Sequence, residues 1–588
     1  MSNWKIFAWC LAILLFAYGF NLNAQSERIK ASYLITLVNP DRMLFKIEAE
    51  FEFPEKMDSI IFRIEETDNH YSEGYSQFVK QVTLVTGDST NVPINDLEQN
   101  RWAAYNLRGK YKLSYYVPIQ HPMQPSQYGI DETPFFIGTS GVLIGTAMII
   151  YPELEPRLLP KDFPIEFRLA KDMIALLPNK SIGENKYLLP SLEYAFDAYW
   201  AVGFYDTLVL GPEENPLKIG VQRDAFSFDK DDLSIYLTDI WRELGNLFGT
   251  SPEFNPLLLI SKYPFSNRTP EYMNSGAASP GSINILLDHK LNSEHLSNYF
   301  GLFVYHLFSQ WIPLTFFPEN RIEDRWLVNG TANYYQLVLP IRTGIITQEQ
   351  FLERILSTYE HYSREFDRRN ISVRIARDIP AAQSYVQAGE LLTACAVDLK
   401  MRSSRRPSSL DALLSTLAQR FKGGSNTFSE MQFYEIADTL SGQFLRPFID
   451  SCLNLKTKID FPNLIRDFGI RIEIIPDGSP DLGMEFAGLT DLTIDDISRG
   501  GPAYEAGLEI GDKILKVNGK EYNSVDPLVA FVEGKNKGDK IKIEYLRDKS
   551  KEKATLKLGA MDKYTIGNMI SPTEAQAERW NKLIAPTQ

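Results

Sequence analysis

Two hydrophobic rhythms divide the chain. From Ala31 to about Gly220 the apolar residues fall in short β-rich runs. Tyr33-Leu34-Ile35-Thr36-Leu37-Val38 is one, and Leu44-Phe45-Lys46-Ile47-Glu48-Ala49-Glu50-Phe51, with partial alternation, is the next. Asn39-Pro40-Asp41 between them supplies turn chemistry. Similar segments recur through Phe167 and Leu208, so this stretch is predicted to be all-β. After Asp229 the spacing becomes helical. Leu233, Leu237, Ile240, Trp241, Leu244 and Leu247 share one face over Asp231–Phe248, and Leu257–Ile260 reads as a short strand. Helices are expected at Ser293–Trp311, Asp324–Leu339, Thr347–Phe366, Ala381–Met401, Ser409–Arg420 and Ser429–Ser441. A third unit, about Pro480 to Leu558, has Gly-Pro and Gly-Asp turns around β-runs and one short helix. The tail after Ala560 is polar and shows no motif.

Composition narrows the class. The 588 residues are 44% hydrophobic and 23% charged, an ordinary globular balance. At ~150 residues per domain that length suggests three or four domains. A net charge of −14 argues against nucleic acid or an anionic membrane surface as the main partner. Lys5, the nearly uncharged run Ile6 to Phe20, and Leu22-Asn23-Ala24 before Gln25 read as a signal peptide. The run is short for a membrane span, so an exported protein, periplasmic or secreted, is expected, with an uncleaved anchor as the alternative. Cys395 and Cys452 remain after the cut, as a bridge or as two buried thiols.

The helical region carries the candidate chemistry. A thermolysin-type zinc site needs two histidines at i and i+4 on one helix, a Glu after the first as base, and a Glu ligand from a later helix. Gly301-Leu-Phe-Val-Tyr305-His306-Leu-Phe-Ser309-Gln310-Trp311, with Pro318 beyond, resembles the H-E-x-x-H-x-W stretch of the glycyl-aminopeptidase-like zinc metallopeptidases. Anchoring on Trp311 puts Tyr305 and Ser309 at the two histidines and His306 at the Glu. Sliding one residue puts His306 and Gln310 at the histidines and Leu307 at the Glu. Neither register supplies a zinc site. Trp326-Leu-Val-Asn329-Gly330-Thr-Ala-Asn-Tyr334-Tyr335 resembles the family's W-x-x-E-G-x-x-x-Y-Y, with Asn329 at the third ligand. Ser384-Tyr385-Val386-Gln387-Ala388-Gly389 and Ser409-Leu410-Asp411 resemble S-Y-Y-x-K-G and S-L-D-D, with Tyr385 retained. Asn274 to Pro280 stands where the family has G-G-x-E-H, with Ala278 at its recognition Glu.

No other constellation rebuilds a metal or nucleophile site. His70, His121, His289, His295 and His361 lack ligand spacing, Glu323 and Asp324 read as a solvated helix start, and no Ser elbow or Cys-His signature is present.

Leu482-Gly483-Met484-Glu485 has the apolar-Gly-apolar form of a PDZ carboxylate loop, which aims backbone N–H groups at a peptide's terminal carboxylate while the peptide adds as a strand. Leu492 to Ile497, Gly500-Gly501-Pro502-Ala503, Ala506-Gly507-Leu508, Gly511 to Leu515 and Val517-Asn518-Gly519-Lys520 continue the resemblance to PDZ domains of exported bacterial proteases. Met484 and Phe486 are the candidate pocket walls.

The resemblance therefore implies a multidomain α+β protein. Its parts are a signal peptide (1–24), a β-rich N-terminal domain (25–220), a thermolysin-like, mainly α-helical domain (221–475), a PDZ domain (476–560) and a tail (561–588). The expected function is non-catalytic binding of peptides or protein C-termini through the PDZ domain and the vestigial cleft. That reading has no cofactor, no nucleic-acid partner and no membrane span after signal cleavage. The alternative is an active zinc-dependent aminopeptidase.

Overall fold

The computed structural model describes residues 27–65, 75–98, 100–119, 133–263, 274–423, 426–488, 491–498, 500–567 and 572–587. The expected signal segment, His70 and His121 lie outside them. Two compact units form. One runs through Thr207 and takes in Gly220–Arg223 and Leu257–Pro264; the other holds Leu208–Ile219, Asp224–Pro256 and Phe265–Gln588.

The first unit is β-rich. Strand β1 (Lys30–Asn39) buries Ala31, Tyr33, Ile35 and Leu37, and β2 (Leu44–Ile64) buries Phe45, Ile47, Ala49, Phe51 and Phe53. That period of two is what a strand with one face on a core requires. Between them, the Arg42 N–H donates to Asn39 Oδ1 at 3.0 Å and closes the turn. β2 pairs antiparallel with β3 (Arg101–Pro118), and β1 pairs parallel with β4 (Lys161–Arg168), within a ten-stranded sheet of the described residues.

The second unit opens with helix α1 (Lys230–Phe248), capped by Asp229 and stopped by Gly249 in the left-handed region. A hairpin of β5 (Asn274–Ser279) and β6 (Ser282–Leu287) precedes α2 (Phe300–Phe308). The helix expected over Ser293–Trp311 is thus shorter. Asn292 caps a separate turn at Ser293–Leu296, and a 3-10 turn at Ser297–Tyr299 follows. Further on, Trp326–Gly330 is a π-turn that leads into α3 (Thr331–Arg342). A Cβ on Gly330 would stand 2.5 Å from the Glu390 carbonyl oxygen, so only glycine admits that approach. Then come α4 (Gln348–Arg369), started by a Thr347/Gln350 capping box, α5 (Gln383–Arg402), α6 (Leu410–Phe421) and α7 (Glu430–Ser441). Cys395 and Cys452 are free, buried thiols.

The remainder of this unit is the PDZ fold with additions on both sides. β7 (Ile472–Asp481) leads into β8 (Met484–Gly488), β9 (Asp491–Ile497), β10 (Lys513–Val517), helix α8 (Val525–Glu533), β11 (Lys540–Arg547) and β12 (Ser550–Lys557). The sheet order is β8-β9-β10-β11-β12. Asn518 and Gly519 both have positive φ, as the tight turn after Val517 demands. Past Ala560, where the sequence shows no motif, β13 (Gly559–Ile566) pairs with β7, and helix α9 (Glu574–Ile584) begins at a Thr573/Gln576 capping box. Among the described residues no helix is long and apolar enough to cross a membrane.

A buried polar network joins four of these helices. Arg402 binds Asp398 through Nε (3.0 and 2.9 Å) and Asp411 through Nη2 (2.7 Å), while Arg342 grips both Asp411 oxygens at 3.2 and 2.9 Å. The Tyr334 hydroxyl donates to Asp398 at 2.9 Å, and Tyr335 donates to Asp411. Arg342 Nε also reaches the Leu583 carbonyl (3.0 Å) and Arg402 Nη1 the Lys582 carbonyl (3.1 Å), so the same arginines hold α9. Burial alone would raise the Asp411 carboxyl; Arg342 and Arg402 outweigh it and hold it below its ordinary value. Breaking such a set from one side is costly, because the partner charges stay buried. Asp411→Asn is expected to lower unfolding free energy by about 3–5 kcal/mol in denaturant titration, and to expose α9 to protease before global unfolding.

Candidate functional site

Helix α2 is almost wholly apolar, with Phe303, Val304, Leu307 and Phe308 buried. Its C-terminal end is fixed by Trp311, which is fully buried, stacks on Phe248 (4.9 Å, 8°) and donates from Nε1 to the Thr250 carbonyl at 2.7 Å. The anchor of the preferred register is therefore a packing residue.

The polar side chains on this helix turn to structure. The Ser309 hydroxyl donates to the Tyr305 carbonyl at 2.9 Å, one helical turn back. Gln310, 2% exposed, donates from Nε2 to the Ser279 carbonyl (3.2 Å) and accepts from the Gly281 N–H (3.0 Å), so it fastens the β5–β6 turn to α2. His306 is buried against β5, where a Cβ on Gly276 would stand 2.6 Å from its Nε2. Desolvation pushes its imidazole down to about 4, which keeps it neutral. Tyr305 packs edge-on to His306 (5.1 Å, 80°). Burial raises its phenol, with Arg325 opposing and Glu390 adding to that rise, so both charges lie near it. Asn329 sits half-buried on the π-turn. Tyr385 stacks on Tyr362 (5.6 Å, 13°) and donates its hydroxyl to the Ile371 carbonyl at 2.9 Å.

Donor chemistry tests whether zinc fits. Tyr305, Ser309 and Asn329 present neutral oxygens, and the Ser309 hydroxyl is engaged with backbone. Zinc prefers imidazole, thiolate and carboxylate. Among the described residues no three His, Cys, Asp or Glu side chains gather as a metal-holding group. The residues present do not fit a zinc ion.

Sequence reasoning read Glu323 and Asp324 as a solvated helix start and passed over the arginines and Glu390 that form a charged cluster with them. Glu390 is fully buried between Arg325 (3.3 Å) and Arg377 (3.1 Å). Burial raises its carboxyl against the pull of both arginines. Arg377 also donates to the Ile322 and Glu323 carbonyls at 2.8 and 3.2 Å, and Arg374 pairs with Glu323. Burial, Glu430 and Glu323 lift the Asp324 carboxyl to about 6. A signal was present: Arg325 directly precedes the Trp326 motif, and Glu390 directly follows Gly389.

The turn at Leu482 to Glu485 is held by backbone geometry and two hydrogen bonds. Gly483 has φ +69°, and a Cβ there would stand 2.6 Å from Pro502 Cδ. Its carbonyl accepts from the Ser498 N–H, and its own N–H donates to Asp481 Oδ1, both at 2.9 Å. Leu482 belongs to the PDZ core, and Met484 and Phe486 pack half-buried against it. Glu485 points the other way. Its carboxylate meets Arg368 (3.0 Å) and Arg369 (3.8 Å) on α4. Of the four loop residues, one is core, one makes the turn, one packs half-buried on that core and one engages the helical lobe.

Comparison with known proteins identifies two segments of the chain. Residues 309–390 match the M61 glycyl aminopeptidase family, and residues 480–558 match the PDZ domain family. No curated protein matches the chain in sequence. Among solved structures, an aminopeptidase N family protein from Idiomarina loihiensis superposes with a TM-score of 0.76 at 15% identity, covering 95% of this chain and 100% of its own. An M1 zinc metallopeptidase from Deinococcus radiodurans gives a TM-score of 0.43 at 11% identity, covering 74% and 94%. The chain thus combines a peptidase-like segment of the M61 glycyl aminopeptidase type with a C-terminal PDZ domain.

Replacing Gln310 by Leu removes both of its hydrogen bonds and leaves the Gly281 N–H without this acceptor. The expected cost is about 1–3 kcal/mol in chemical denaturation, and Gln310→Glu should not restore both bonds, because a carboxylate cannot donate.

Proposed function

We propose that this chain is an exported, non-catalytic relative of the aminopeptidases that binds peptides or protein C-termini through its PDZ domain, with the peptidase-type site as a second binding region. One observation carries the loss of catalysis. Ser309 and Gln310, the two alternative positions for the second histidine, both spend their side chains on backbone hydrogen bonds. Tyr305 and Asn329 then offer only neutral oxygens, and the side chain at the position of the family's base is His306, a buried imidazole in place of a carboxylate. Hydrolysis in this type of site depends on a metal-activated water.

The test is metal analysis of the dialysed protein beginning at Gln25, with amino-acid amides as substrates. Well below one zinc per chain and no chelator-sensitive release of amine are expected. Near-stoichiometric zinc with such activity favours the second reading, an active zinc aminopeptidase, which the family match over 309–390 supports. Ser309→His alone should restore nothing, since two further ligands and the base stay absent.

The PDZ assignment supports the binding half of this reading. A peptide with an apolar last residue and a free carboxylate is expected to bind with micromolar Kd, about −8 kcal/mol. Amidation should weaken it by removing the charge that the loop donors hold. Gly483→Val should weaken it too, because the added carbons collide with Pro502. An amide that binds as well as the acid would refute the assignment of the loop.

A further inference from the structure

The face of β8 opposite the pocket is occupied by charge. Glu485 on β8 and Asp496 on β9 are neighbours in register. Arg368 reaches Glu485 at 3.0 Å and Asp496 at 3.1 Å; Arg369 reaches Asp496 at 2.9 Å and Glu365 at 2.8 Å. Arg368 also pairs with Glu365. Three carboxyls therefore face two guanidiniums, and the set is one positive charge short. Arg364, His361 and Glu360 lie further back on α4, where Arg364 is spent on Glu360 at 3.8 Å. The Glu485 and Asp496 side chains remain 30% and 22% exposed, so the deficit is reachable from solvent.

A peptide added along β8 brings side chains to this face at a fixed position. Antiparallel strands advance together, one residue on each. With the terminal residue beside the loop at Met484, the penultimate residue stands opposite Glu485. Paired residues share a face, with Cβ atoms about 5 Å apart. We propose that the peptide taken by this PDZ domain carries a basic penultimate side chain, read by Glu485 and Asp496 where they meet Arg368 and Arg369 of α4. The inference rests on the PDZ reading above and adds the ligand's class. It makes recognition composite, because the helical lobe supplies the arginines that hold the reading carboxylates in place.

The protonation of the cluster points the same way. Burial pushes the Glu485 carboxyl up to about 8, with Glu365 adding to the rise and Arg368 and Arg369 opposing it. In the free protein a proton therefore fills the missing positive charge. Glu365 is held low: burial alone would raise it, and the hydrogen bond from Glu485 together with Arg368 and Arg369 outweighs that burial. A lysine or arginine on the ligand takes the proton's place, and the proton leaves to solvent. Because the Glu485 value is raised, its protonated form is complete below the ordinary 4.5 and is lost as pH rises towards about 8. Preference for the basic peptide should grow over that window.

The experiment uses the full mature chain and fluorescent hexapeptides identical except at the penultimate residue, ending Lys-Val, Ala-Val and Glu-Val, plus the Lys-Val amide. Lys-Val is expected to bind about five-fold tighter than Ala-Val, with Glu-Val weakest. The preference should vanish in Glu485→Gln and shrink in Asp496→Asn. Equal binding of Lys-Val and Ala-Val, with the amide still weaker than the acid, overturns this inference and leaves the PDZ reading standing. An amide equal to its acid, or no binding by any of the peptides, removes the PDZ reading and this inference with it. A preference that persists in both variants shows that the basic residue is read elsewhere, which also overturns the inference.

Discussion

Asp398 and Asp411, buried against Arg342 and Arg402, are the constraint on which the helical lobe depends. Two carboxylates and two guanidiniums balance in charge, and Tyr334, Tyr335 and the Leu410 N–H take up further lone pairs. Taking four ions out of water is tolerable only when each is paired and hydrogen-bonded. The geometry that achieves this fixes α3 against α5 and α6, and the spare arginine donors reach on to the carbonyls of α9. The final helix is therefore part of the lobe's interior bonding.

This network explains which parts of the family resemblance persist. Tyr334 and Tyr335, which lie within the segment that matches the glycyl aminopeptidases, are members of it, as is Asp411. Trp311 and Trp326 pack on Phe248 and Phe433, and Gly330 allows the π-turn to touch α5. The retained positions carry packing and buried hydrogen bonds. Polar side chains at the end of α2 are likewise absorbed into the scaffold: Ser309 bonds its own helix and Gln310 fastens a hairpin. A buried donor or acceptor must find a partner, and here that partner is backbone.

The PDZ fold meets α4 through charge, and this sets what its outer strand can do. Arg368 and Arg369 sit under Glu485 and Asp496 with little of their own surface exposed, so β8, the edge strand of its sheet, is braced on one face. Such pairs orient more than they stabilise, because desolvation offsets much of their attraction. A braced strand loses less freedom when a second strand pairs with it, which favours binding by preorganisation.

Much of this was legible from the sequence. The period of two in Tyr33–Val38 and Leu44–Phe51, the helical spacing in Asp231–Phe248, and the run from Leu482 to Lys520 are local patterns that declare their elements. Motif spacing around Trp311, Trp326 and Ser384 pointed to the peptidase-like segment, which the family match over 309–390 bears out. The sequence alone could not show where the replaced side chains point. His306 faces β5 and Gln310 the β5–β6 turn because α2 starts only at Phe300 and is set by Trp311, and that rotation comes from packing. Nor could it show that Arg325 and Arg377 converge on Glu390, that Glu485 turns to α4, or that α9 docks on Arg342 and Arg402. These contacts join residues up to 241 positions apart. Local propensity reports the shape of a segment. Which charges meet in the interior depends on how distant segments pack, and the cost of burying an unpaired charge selects among the arrangements.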